Sequence, residues 1–334
     1  MTLNTYILKS STIQELFNYI DENALLKYPN HEIIEGKSSV QQFLQEIYKD
    51  KPLIVKAYLS YFIATTEDNH MIKIKTDEKT ISTIYIEINP PHTRYLFNIA
   101  YDGTHYQGFQ RQPNKKTVQG AIESVLHHLM KNHITIHPAS RTDAHVHAHD
   151  QYFHADLNLL FSTEKLHTLM NRMLDQDIVI KSIEAVPYVF HARYDVIEKT
   201  YTYHLHHTKD PFKSKYSTYH ENIKINRLVD VMQPLVGTHD FKHFSKKHTK
   251  ENSIRTIKQI NVYGNADDTI IEITGTGFLR HMVRMIVGQA LHDHDYNTST
   301  LFKAISHRKT HIQSFSVPAS GLHLDKINYK KSSH

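Results

Sequence analysis

A proline pair, Pro90-Pro91, splits the chain into two stretches that cannot share one run of regular structure. Proline lacks the backbone N–H that a helix interior or central strand needs, so the pair predicts a linker. The two sides also differ in charge. Residues 1–92 hold 9 lysines, no arginine and 12 acidic residues, a net −3. Residues 93–334 hold the other 30 basic and 22 acidic residues, a net +8. A basic surplus that contains every arginine predicts a polyanion partner for the second stretch. A length of 334 residues suits about two domains.

Before the prolines, Ile13, Leu16, Phe17 and Ile20 have helical spacing, as do Val40, Phe43, Leu44, Ile47 and Tyr48. Strand-like runs follow at Leu53 to Ala64, Met71 to Lys75 and Ile81 to Ile88. These predict a small α+β unit over residues 1–92, read as an accessory or interaction domain because no chemical motif falls in it. After the prolines, Tyr95 to Tyr101 predicts a strand that ends at the Asp102-Gly103 turn. Thr117 can cap a helix, and Val118, Ile122, Val125, Leu126 and Leu129 form its apolar stripe. Ile134 to Ile136 and Gln151 to Ala155 read as strands around a polar loop, Ala139 to Ala148. A helix from Thr163 and a strand from Ile178 to Val186 follow. The second pass runs through a strand at Lys199 to Leu205, a helix from Asn226 and a loop at Thr238 to Phe244. Strands at Ile254 to Val262 and Thr269 to Thr274, a helix opened by Gly277-Phe278 and a strand through Tyr329 complete it. The recurrence predicts two similar halves, about 93–195 and 196–334.

The loop between Ile136 and Gln151 is the chemical candidate, since rigid scaffolds present reactive side chains on such connections. Arg141 and Asp143 are two apart, so in extended backbone they leave the same face. A neighbouring guanidinium lowers a carboxyl pKa by roughly 1 to 3 units, which predicts an ionised Asp143. Arg280 and Arg284, four apart, predict a cationic helix face suited to an anion. His145, His147 and His149 alternate, with Asp150 following. On one strand face these imidazoles offer a zinc or iron site, so a metal-dependent hydrolase is the alternative reading. The absence of cysteine excludes disulfides and thiolate metal sites. Met1 to Asn4 open no signal-peptide pattern and no apolar run reaches the length of a membrane span, so a soluble cytoplasmic protein is predicted.

An ordered set of short motifs carries a resemblance. They are Tyr101-Asp102-Gly103 with Gly108-Phe109-Gln110, Thr117-Val118-Gln119-Gly120, Arg141-Thr142-Asp143-Ala144 with Val146-His147-Ala148, and Phe190-His191-Ala192-Arg193. Lys199-Thr200-Tyr201-Thr202-Tyr203, Gly237 with His239-Asp240-Phe241, Gly277-Phe278 with His281-Met282-Val283-Arg284, and Gly321-Leu322 follow. Residues 93–329, about seven-tenths of the chain, thereby resemble the tRNA pseudouridine synthase A family. The resemblance implies an α+β fold: a mixed, mostly antiparallel central sheet with flanking helices and a cleft between two related halves. It implies a homodimer that isomerises uridine to pseudouridine in the anticodon arm of tRNA, with no metal or organic cofactor. It makes Asp143 the essential group, Arg284 its partner, and Tyr201 the ring that stacks on the target base and helps remove the C5 proton. Arg141 would displace the base from its stack, with Arg280 and Arg111 as further substrate-binding candidates. Three family glycines are replaced, by Ser140, His145 and Asp150. These are expected to narrow the pocket or reshape RNA entry, Asp150 by adding negative charge near the RNA path. A weakly active tRNA-binding paralogue is the remaining reading.

Overall fold

The computed structural model describes residues 13–27, 33–48, 54–58, 61–65, 70–76, 81–88, 93–187, 190–245, 252–296, 299–301, 305 and 315–329. Pro90-Pro91 and Met1 to Asn4 lie outside the described residues. Two sheets form, each with its own hydrophobic cluster.

The first sheet comprises β1 (Ile20–Lys27), β2 (Ile33–Glu35), β3 (Ile54–Tyr58), β4 (Tyr61–Thr65), β5 (His70–Thr76) and β6 (Ile81–Ile88), in the order β2-β1-β6-β5-β4-β3. The helix Lys37–Tyr48 brings Val40, Leu44 and Tyr48, spaced by four, into one cluster with Ile72, Ile74 and Ile84. The first predicted helix is a 3-10 helix, Ile13–Tyr19, and Ile20 already belongs to β1. The predicted run from Leu53 to Ala64 is two antiparallel strands, β3 and β4. Alternation along β5 sends Lys73 to the face opposite Ile72 and Ile74. There it pairs with Asp195, and the two side chains are 2% and 0% exposed. Asp195 also accepts the His191 N–H at 2.8 Å.

The second sheet comprises β7 (Thr93–Tyr101), β8 (His137–Pro138), β9 (His147–Leu157), β10 (Ile178–Val186), β11 (Val196–His206), β12 (Thr218–Tyr219), β13 (Gly237–Asp240), β14 (Ile254–Gly264), β15 (Asp268–Gly275) and β16 (Leu322–Tyr329). Its main path is β10-β7-β9-β16-β11-β15-β14-β13, with β8 on β9 and β12 on β11. Only β9–β16 and β11–β12 pair in parallel, so the sheet is mixed and mostly antiparallel, as expected. The β9–β16 register, His147 opposite His323 and Ala148 opposite Leu324, is where the strands of residues 93–187 join those of 196–329.

Helix placement follows the caps and stripes. Thr117 Oγ1 accepts the Gly120 N–H, and Val118–Met130 then buries Val118, Ile122, Val125 and Leu126. Ser162 caps Thr163–Met173, which buries Leu166 and Met170. Met282–Tyr296 is buried almost all round, Met285, Gly288 and Gln289 included, rather than along the single stripe its sequence suggests. At Gly288 an added Cβ would lie 2.9 Å from the Phe315 carbonyl, so the chain crosses this helix at backbone distance. Two loop assignments change. The predicted strand Ile134 to Ile136 is irregular, with only the two-residue β8 after it, and β13 occupies part of the predicted loop at Thr238.

Histidines gather in two clusters. His323 stacks within 4.8 Å of His147 and 5.2 Å of His149, and its ring lies 4.5 Å from that of His204. Burial pushes His323 down to about 3, and lowers His147 and His204 too. In the second cluster, burial pushes His191 down to about 4 and His154 further still. The unfolded chain therefore takes up these protons first as pH falls. Stability is expected to be complete above about pH 6.5 and to decline below it, by up to about 1.4 kcal/mol per pH unit per imidazole. Urea unfolding between about pH 8 and pH 5 checks this. An unchanged midpoint would mean that the imidazoles are charged in the folded state.

Candidate active site

The loop from Ala139 to Val146 precedes β9 and carries Asp143. Its backbone rests on another backbone segment. The Phe109 N–H donates to the Thr142 carbonyl at 3.1 Å, and the His145 N–H donates to the Tyr106 carbonyl at 3.1 Å. Gly108 makes this approach feasible: its φ is +94°, and an added Cβ would sit 2.9 Å from the Thr142 carbonyl oxygen. Gly108→Ala is expected to destabilise the fold by at least about 1 kcal/mol, read as a lower urea midpoint. An unaltered midpoint would show that the loop yields freely.

Side chains fix the rest of the loop. Gln151, fully buried, accepts the Ser140 N–H at 3.2 Å and donates to the Ser140 carbonyl at 2.9 Å. Tyr101 Oη and Thr142 Oγ1 are 2.7 Å apart. Lys199 Nζ donates to the Ala139 carbonyl at 2.8 Å, and burial with the charge of Arg193 pushes this lysine down to about 8.

Asp143 Oδ2 lies 3.6 Å from His281 Nδ1 and 3.9 Å from Arg284 Nη1. Arg284 is aimed by the bond from its Nε to the Val317 carbonyl at 2.9 Å. Tyr201, in β11, is 6% exposed, and its ring meets Phe278 edge-on at 5.2 Å. Burial pushes its phenol up to about 12, a hydrogen bond with Ser140 lowering and the Asp143 charge raising it. Asp143, Tyr201, Phe278 and Arg284 all line one cleft of about 1020 Å³. Arg141, Arg193, Lys199, Arg255, Arg280 and Arg284 line it too, and Asp143 is the one carboxylate among the described lining residues. Such a wall attracts a polyanion, and an aromatic ring within it offers a stacking surface.

Several expected placements differ. Arg141 reaches the cleft but forms no ion pair with Asp143 among the described residues; His281 and Arg284 are the basic side chains nearest it. Arg280 lies before the helix, which starts at Met282, and His281 between them has φ +63°. That left-handed residue turns the chain, so Arg280 and Arg284 do not share a helix face. Arg111 Nη1 pairs with Glu123 at 3.0 Å, while its neighbours Gln110 and Gln112 line the cleft. Asp150 does not line the cleft: it accepts from Asn98 Nδ2 at 2.5 Å and from the Ile327 N–H at 3.2 Å. His145 precedes β9 with φ +65°, the backbone a family glycine would adopt freely, and its Nδ1 bonds the Thr104 carbonyl at 2.8 Å. It therefore cannot share a strand face with His147 and His149, and the expected three-imidazole metal site is not formed.

A different trio, His137, His154 and His191, brings ring nitrogens within 4.8 Å of one another. Backbone N–H groups of Ala192 and Arg193 donate to Nδ1 of His154 and His191, both at 3.1 Å. In the neutral rings Nε2 then carries the proton, which leaves neither ring a lone pair for a cation.

The family model for tRNA pseudouridine synthase matches residues 67–195 and 231–330. The chain belongs to that family. The tRNA pseudouridine synthase A of an Exiguobacterium species is 37% identical over 237 residues, covering 70% of this chain and 96% of its own length. That of Staphylococcus aureus strain MRSA252 is 36% identical over 244 residues, covering 70% of this chain and 91% of its own. Among solved structures, a Cbf5-Nop10-Gar1 complex has a TM-score of 0.32 at 10% identity, covering 69% of this chain and 49% of that one. Within this pseudouridine synthase, sequence reasoning gave no role to His281, Arg193 or Lys199, although all three stand inside the motifs that carry the resemblance. Arg255 had no sequence signal, being one of the exposed-type residues of a strand start.

Proposed function

We propose that the cleft isomerises uridine to pseudouridine in tRNA, at the anticodon arm, with Asp143 as the essential group. The observation that supports this best is the lone carboxylate in a wall of cations, close to Arg284 and in the same cleft as Tyr201. Asp143 acts on the ribose carbon or a ribose proton once the base has swung out. Arg284 and His281 keep its Oδ2 oriented. Extruding the base costs a few kcal/mol, and stacking on Tyr201 returns about 1 to 3. Arg141 takes the vacated place in the RNA stack. Arg280, Arg193 and Arg255 hold phosphates, which makes binding salt-sensitive. The uracil leaves and is recaptured through C5, so the reaction needs no electron carrier or second substrate. Residues 1–92 serve as an accessory unit attached to a synthase unit over 93–334, and two copies of the chain act together in the cytoplasm. No helix among the described residues is long and apolar enough to cross a membrane. Mapping pseudouridine in tRNA from cells with and without this protein tests the reading. Loss of the modification at anticodon-arm uridines is expected; identical maps would refute it.

A further inference from the structure

Among the described residues, Ser140 is the cleft residue whose side chain hydrogen-bonds the tyrosine proposed to stack on the base. Its Oγ lies 3.0 Å from Tyr201 Oη. Among the described residues that hydroxyl has no other hydrogen-bond partner. The Ser140 backbone is clamped on both sides by buried Gln151, so only its χ1 rotor is free. Tyr201 itself is almost closed to solvent, whereas Ser140 is half-buried and lines the cleft. The two hydroxyls thus form a short wire from the stacking ring to the open cleft.

We propose that Ser140 is a positioning and relay residue that carries the C5 proton of the isomerised uracil from Tyr201 to solvent. This rests on the reading of Tyr201 and Asp143 given above. A neutral phenol whose proton is held as tightly as that of Tyr201 cannot accept a second one unless it passes its own on at once. Ser140 supplies the acceptor. In the step, the C5–H bond breaks and its proton forms a new O–H bond on Tyr201. The Tyr201 proton moves to Ser140 Oγ while the Ser140 proton moves to a cleft water. The C–H electron pair becomes the C5=C6 double bond, and the N1=C6 pair shifts to N1, which takes a proton from water. One proton leaves and one returns, so the uracil keeps its composition, as an isomerisation requires.

The test uses the full chain and a tRNA transcript carrying either hydrogen or deuterium at uridine C5. Ser140→Ala is expected to lower kcat by about 10-fold or more with KM held within about twofold. The ratio of hydrogen to deuterium rates is expected to rise from near 1 to above about 2, because C5–H cleavage becomes slow. Ser140→Thr, which keeps a hydroxyl, is expected to restore both readouts. An unchanged kcat in Ser140→Ala would overturn the relay, and so would a lower kcat with no change in the isotope ratio. Asp143→Asn on the same transcript separates the two levels. If it still turns over, the reading of Asp143 fails; if it is dead while Ser140→Ala behaves as wild type, only the relay fails.

Discussion

Asp143→Asn is expected to lower pseudouridine formation on a tRNA transcript by about 10,000-fold or more while tRNA affinity stays within about twofold. The amide keeps the size and planarity of the carboxylate, so the loop held by Gln151, Phe109 and Tyr106 has no cause to move. What is lost is the negative charge and the ability to attack carbon or take a proton. The cations of the cleft stay in place, and they are expected to supply most of the RNA affinity. Removing the one carboxylate from such a wall can even tighten binding slightly. Asp143→Ala is expected to behave alike in turnover. Turnover near the wild-type rate in either variant would mean that another group does the chemistry.

Asp195→Ala is expected to cost about 3–5 kcal/mol of stability, because it removes one partner of a buried ion pair. Both partners are sealed from water, so neither can be rescued by solvation once the other is gone. The His191 N–H also loses its acceptor. Replacing both partners by apolar residues of similar volume is expected to recover most of the loss, since an apolar pair needs no charge compensation. Urea unfolding of the single and double variants gives the comparison. A loss under about 1 kcal/mol in Asp195→Ala would mean that water reaches the pair, and that the first sheet does not seal this face of the chain.

The sequence made most elements of residues 93–329 legible because caps and periods agree there. Thr117 with its apolar stripe, and the alternating run through Tyr201 and Tyr203, left little choice of structure. The proximity of Asp143, Tyr201 and Arg284 was not readable from spacing. It depends on the parallel β9–β16 pairing, a contact between distant segments, and only the resemblance pointed to it. Reading Arg280 and Arg284 as one helix face failed because periodicity carries no sign of the left-handed turn at His281. Asp150 was misplaced for a related reason: a charge looks exposed in a sequence, and its partners Asn98 and the Ile327 N–H come from remote strands. The lysine at position 73 also reads as a solvated strand residue until Asp195 is brought against it.

The most direct measurement is the release of tritium from a tRNA transcript labelled at uridine C5, because that hydrogen leaves only if C5 becomes bonded to the ribose. Purified wild-type protein is expected to release it from anticodon-arm uridines, and Asp143→Asn to release none. A wild-type protein that binds the transcript yet leaves the label in place would contradict the account.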